Sequence, residues 1–165
     1  MIDFPLIHIY LNDELKQALI SNGLDPDKYG PAYGGESVAI DLYNASHKRT
    51  YPARSSLMPT GLHVALPRGW GAFVFERGSI TKTDFLHRAG VVDPGYSGEI
   101  FVSCKDLEFE EPLSVRTSAI EPYAKSPFQL VFLPCNTNLA QVSKDEFDRL
   151  HAESKRQSGK IGSSD

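Results

Sequence analysis

Cysteine, tryptophan and methionine are scarce in this chain, with two Cys, one Trp and two Met among 165 residues. Cys104 and Cys135 form no Cys-x-x-Cys pair, so a zinc site is not expected. Both lie in or beside apolar runs, where two free thiols are expected over a disulfide. Long apolar runs are also missing, and nothing approaches the roughly 18 residues that a membrane-spanning helix requires. The opening Met1-Ile2-Asp3-Phe4-Pro5 puts no basic segment ahead of an apolar one, so no signal peptide is read there. Positive charge is in deficit: 17 Lys and Arg against 21 Asp and Glu leave a net charge of -4. No overall field draws such a protein to a nucleic acid or an anionic membrane. A soluble, cytoplasmic protein is expected, with neither nucleic acid nor membrane as partner.

What the chain does have is short runs rich in Val, Ile, Phe and Tyr between clusters of Pro, Gly, Asn and Ser. They predict strands at Leu6–Leu11, Val38–Tyr43, Gly61–Leu66, Gly71–Glu76, Glu99–Cys104, Ser114–Ile120 and Phe128–Leu133. Regular short strands of this kind imply an all-β sandwich, jelly roll or barrel. Two short helices are expected. Asp13 to Ile20 follows a cap at Asn12 or Asp13 and stops at Asn22-Gly23. Ser143 to His151 opens on a Ser-x-x-Glu capping box. The polar, small residues from Arg156 to Asp165 read as a loose tail.

The most informative string is Ala89-Gly90-Val91-Val92-Asp93-Pro94-Gly95-Tyr96-Ser97-Gly98-Glu99-Ile100. It predicts a β-hairpin, because Pro fixes φ after Asp93 and Gly95 accepts a positive φ. On the residues alone, Asp93 need do no more than cap that turn. The string resembles the third motif of the trimeric dUTPases, Gly-hydrophobic-hydrophobic-Asp-x-x-Tyr-x-Gly. Ala39-Ile40-Asp41-Leu42-Tyr43 is similar to the first motif, and Phe75-Glu76-Arg77-Gly78-Ser79 stands where the second belongs. Phe128-Gln129-Leu130-Val131 resembles the fourth, and Arg156 to Asp165 the Gly-rich fifth. Pro59-Thr60-Gly61 and Leu66-Pro67-Arg68-Gly69 look like the connecting strands, and the likeness runs from about residue 35 to 165.

The resemblance implies a distorted jelly-roll domain over residues 1–155, with an added helical segment at about 13–33, and an arm over 156–165 that closes on phosphates. It implies a homotrimer with shared sites that hydrolyses dUTP to dUMP and pyrophosphate, with Mg²⁺ carried by the triphosphate. Asp93 is the implied carboxylate that activates water for attack on the α-phosphorus. Tyr96 would pack on the deoxyribose, and the backbone from Gly90 to Val92 would read the pyrimidine edge. Arg77, Ser79 and Gln129 would meet the phosphates, with Asp41 as an indirect metal contact or a structural acid. From the arm come Arg156, Ile161, Gly162, Ser163 and Ser164.

The chain departs from the pattern in places. The second motif usually reads Pro-Arg-Ser-Gly, but here Glu76 replaces Pro and Gly78-Ser79 exchanges the order. The fourth usually carries Gly-Asp-Arg before its Gln, where this chain has Lys125-Ser126-Pro127. Ile161 stands in place of an aromatic. Other readings are a pyrophosphatase for another deoxypyrimidine triphosphate (dCTP or a modified dUTP), a non-catalytic regulatory module on this fold, or a dCTP deaminase. The deaminases resemble Asp93 to Gly98 but place a catalytic Glu where Ser103 stands here.

Overall fold

The structure, a computed structural model, describes residues 5–31, 35–50, 56–82, 85–106, 119–135 and 141–153. Eight strands are assigned among them: β1 (His8–Leu11), β2 (Ala39–Tyr43), β3 (Ser56–Ala65), β4 (Trp70–Glu76), β5 (Phe85–Arg88), β6 (Val91–Val92), β7 (Ser97–Asp106) and β8 (Lys125–Pro134). They form two antiparallel sheets, ordered β1-β3-β7-β5 and β2-β8-β4-β6. Alternation sets the core. Met58, Leu62, Val64, Ile100, Val102 and Cys104 of the first sheet meet Ile40, Leu42, Ala72, Val74, Phe128 and Leu130 of the second in one buried cluster. The architecture is the all-β, jelly-roll-like fold expected from the sequence.

Helix α1 (Asp13–Ser21) begins as its cap predicts, with Asn12 Oδ1 accepting from Leu15 N–H at 2.9 Å. Leu15, Ala18 and Leu19, at helical spacing, are fully buried. A 3-10 turn, Pro26–Lys28, follows. Helix α2 (Lys144–Glu153) has half of its capping box: Ser143 Oγ accepts from Glu146 N–H at 3.2 Å, while the Glu146 carboxylate turns to Arg149.

Three expectations need correction. The strand expected at Gly61–Leu66 is the second half of the ten-residue β3, which runs through Pro59. Proline fits because β1 pairs only with residues 62–65, so the ladder on that side does not reach Pro59. The strands β5 and β6 were not foreseen from the sequence. The string around Asp93 is not a hairpin either, since β6 pairs with β4 in one sheet and β7 with β3 and β5 in the other. It is a corner that carries the chain between sheets. Of the strand expected at Ser114–Ile120, residues 114–118 lie outside the described residues, and Ile120 forms an isolated bridge with Thr50. Both cysteines are free.

Candidate active site

The corner at Asp93 is a tight turn: Tyr96 N–H donates to Asp93 C=O at 3.1 Å, and Gly95 holds φ +84°. Pro in the second position and a positive-φ Gly in the third make it type II. Asp93 is left exposed at its first position. The Tyr96 hydroxyl donates to Glu99 C=O at 2.7 Å, folding the ring back along the chain. It then lies over Gly98, where a Cβ would sit 2.8 Å from the hydroxyl and 3.1 Å from Cζ. That contact gives the Tyr-x-Gly spacing a physical reason.

Ahead of the turn, Gly90 C=O accepts from Val74 N–H at 2.8 Å. Bonded and non-bonded positions alternate along antiparallel strands, so the N–H and C=O of Val91 point away from β4. β6 is the edge strand of its sheet, so these groups face an open edge. Val92 keeps its place opposite Ala72. A side chain at Gly90 would strike Val74 C=O at 2.7 Å and the His87 ring at 2.8 Å.

A second group gathers at the far end of β4. Arg77 follows that strand, its N–H bonded to Pro127 C=O at 2.8 Å. Its Nε lies 2.6 Å from Asp41 Oδ1, and Nη1 donates to Ser126 C=O at 3.3 Å. Lys125 Nζ takes the other oxygen, Asp41 Oδ2, at 2.5 Å. Tyr29, just after the 3-10 turn Pro26–Lys28, donates its hydroxyl to Asp41 C=O at 2.6 Å. Burial pushes that phenol above its ordinary range, with Tyr43 and Asp41 adding to the effect. Gln129, opposite Asp41, donates its amide to Glu76 C=O at 2.9 Å. Ser79 is exposed in the 3-10 turn Gly78–Lys82. Arg77, Ser79, Lys125, Ser126 and Pro127 line a cavity of about 280 Å³.

Glu76, the departure from the second motif, pairs with His87 Nδ1 at 2.5 Å and ties the two sheets together. Burial alone would raise its carboxyl. The His87 hydrogen bonds and charge, with its own backbone N–H, outweigh that and hold it below the ordinary value. Lys125, Tyr29 and His87 were not singled out by the sequence. Lys125 was marked only as a departure from the fourth motif, and nothing local to Tyr29 points at Asp41.

One chain therefore separates the two groups. Val92 sits opposite Ala72, and five residues of β4 lead from there to Arg77, about 16 Å at the usual strand rise. Arg156, Ile161, Gly162, Ser163 and Ser164 lie outside the described residues. Among the described residues no group of three or more His, Cys, Asp and Glu could hold a metal ion, and no helix is long and apolar enough to cross a membrane. On the outward face of the β2-β8-β4-β6 sheet Phe75, Val91 and Leu133 are exposed, and Phe73 stacks on Phe75.

Comparison with solved structures defines the class. A mutant dUTPase from phage phi11 of S. aureus has a TM-score of 0.62 at 13% identity, covering 85% of this chain and 97% of that one. A mutant dUTPase of Staphylococcus bacteriophage 80alpha, with dUpNHpp, has 0.61 at 16% identity, covering 98% and 100%. EIAV dUTPase has 0.56 at 21% identity, covering 72% and 92%. The fold is that of the dUTPases.

Among curated sequences, the deoxyuridine 5'-triphosphate nucleotidohydrolase of Mycobacterium sp. (strain JLS) is 32% identical over 136 residues, 81% of this chain and 84% of that protein. The chain belongs to the dUTPase family. Proteins of the same name from Streptomyces griseus subsp. griseus and Streptomyces coelicolor are 35% and 34% identical over 112 residues; there the match spans 62% and 60% of the relative's length. No family model matches the chain.

Proposed function

We propose that this protein hydrolyses dUTP to dUMP and pyrophosphate, in sites shared between the subunits of a homotrimer. The observation that carries the reading is the split site. The Asp93–Tyr96 corner and the Arg77–Asp41–Lys125 cluster hold complementary chemistry at opposite ends of β4, and a nucleoside triphosphate needs both. In a closed threefold assembly the corner of one subunit meets the cluster of the next. The exposed apolar face at Phe75, Val91 and Leu133 supports such an assembly, because patches of that kind mark interfaces.

In this reading the open edge of β6 receives the pyrimidine, with Val91 N–H and C=O as its hydrogen-bonding groups. The Tyr96 ring, pinned over Gly98, offers its free face to the deoxyribose and leaves no room for a 2′-hydroxyl. Asp93 holds a water in line with the α-phosphorus and takes its proton as the bond to the bridging oxygen breaks. Arg77 and the Ser79 hydroxyl orient the phosphate chain, and pyrophosphate leaves into the positive cavity. Asp41 is the carboxylate that would make an indirect contact to a Mg²⁺ ion carried by the triphosphate, and such an ion would neutralise phosphate oxygens. Arg156, Gly162, Ser163 and Ser164 close over the phosphates, and Ile161 over the base.

Deamination is the weaker reading because Glu99 is already engaged. Its Oε1 accepts from Gly61 N–H at 2.9 Å inside the β3 bulge, and Ser103 carries no carboxylate. The test is pyrophosphate release with Mg²⁺ across dUTP, dCTP, dTTP and UTP. Release from dUTP well above the others supports the reading; ammonia from dCTP, or no release from any, refutes it.

A further inference from the structure

Lys125 has no counterpart in the motifs this chain resembles, which carry Gly-Asp-Arg ahead of the Gln. It opens β8 opposite Tyr43, and its amine shares the Asp41 carboxylate with Arg77. Two cations on one carboxylate leave one positive charge in excess. The acid that lines the adjoining 280 Å³ cavity, Glu121, already pairs with Arg49 at 2.8 Å. The excess charge therefore faces a cavity that also holds Ser79. Lys125 keeps over a third of its side chain exposed and borders a second cavity, of about 320 Å³, against Leu19, Tyr29 and Tyr43. Its amine has room to swing from one partner to another.

We infer that Lys125 binds the distal phosphates of a nucleoside triphosphate, as a second cation beside Arg77 that passes from Asp41 to the phosphate chain. The inference rests on the proposed nucleotide-hydrolase reading. A compact ammonium on a flexible stem suits a ligand whose charge is spread over several oxygens. The nucleoside and α-phosphate lie toward Asp93, so a nucleoside monophosphate gains nothing from Lys125.

The test titrates the full-length wild type, Lys125→Met and Lys125→Arg with three probes: the α,β-imido analogue of dUTP with Mg²⁺, dUMP, and inorganic tripolyphosphate. Thermal midpoints and light scattering accompany each variant. Lys125→Met should weaken the imido analogue about 10–100-fold, the scale of one lost charge-assisted bond, and dUMP by less than about twofold. Lys125→Arg should recover most of the loss. An unchanged affinity for the imido analogue overturns the inference, as does an equal loss for dUMP, which would mark Lys125 as a clamp on Asp41 alone. The tripolyphosphate arm separates the two levels. If wild type binds it but not the analogue, and Lys125→Met loses it, the nucleotide reading falls and the anion site stands. If wild type binds neither probe, both fall. Should Lys125→Met lose its thermal transition, Lys125→Gln is titrated in its place with the same outcomes.

Discussion

At Asp93 the exposed carboxylate leads a turn whose geometry Pro94 and Gly95 fix without it. Its removal should therefore cost chemistry and not structure. Asp93→Asn should keep its thermal midpoint and its affinity for the nucleotide, yet lower turnover about 10²–10⁴-fold. Near-wild-type turnover in that variant would take Asp93 out of the mechanism. Glu76 is the opposite case, a charged residue whose effect is on stability. Its folded carboxyl is held below the ordinary value of 4.5, so the stabilisation is present above that value and disappears as pH falls through the lowered one. Denaturant titrations of wild type and Glu76→Gln should show a stability gap above about pH 5 that closes on acidification. A gap that widens as pH falls below 4.5 would contradict the pairing with His87.

The helix α1 sits where it does because of a bulge in β3. The register shifts between Pro59 and His63, and Gly61 takes φ +64° there. Its C=O accepts from Asn12 N–H at 3.0 Å, its N–H donates to Glu99, and a Cβ would fall 2.2 Å from Asn12 Oδ1 and 2.8 Å from Leu15 Cβ. Gly61→Ala should thus destabilise by about 2–4 kcal/mol, adding overpacking to left-handed strain, read as a lower urea midpoint at unchanged slope. Helix α1 was legible in the sequence because its signals are local: an Asn cap, a buried stripe at i, i+3 and i+4, and Asn22-Gly23 at the end. The core strands were legible by alternation. Strands β5 and β6 were not, since β6 has two residues and β5 carries His87 and Arg88. Nor was the corner at Asp93, because Asp-Pro-Gly specifies the turn and not which strands its flanks will pair with. Lys125 on Asp41 is a cross-strand contact between β2 and β8, invisible to any local pattern.

In the proposed reading the assembled molecule completes the site, because one chain leaves Asp93 and Arg77 at opposite ends of β4. Truncation after His151 should lower kcat more than it raises KM, since phosphate donors matter most as charge moves to the leaving pyrophosphate. Equal constants for the full and truncated chains would deprive the arm of a role. Subunit mixing tests the shared site most directly. Asp93→Asn and Arg77→Ala variants, each expected to be strongly impaired, are mixed one to one, unfolded and refolded together, and assayed for pyrophosphate release from dUTP. A site that joins Asp93 of one subunit to Arg77 of the next regains both intact residues in about a quarter of random pairings, so roughly a quarter of wild-type activity should return. If mixed trimers form by light scattering and activity stays at the level of the separate variants, the two groups do not meet across subunits.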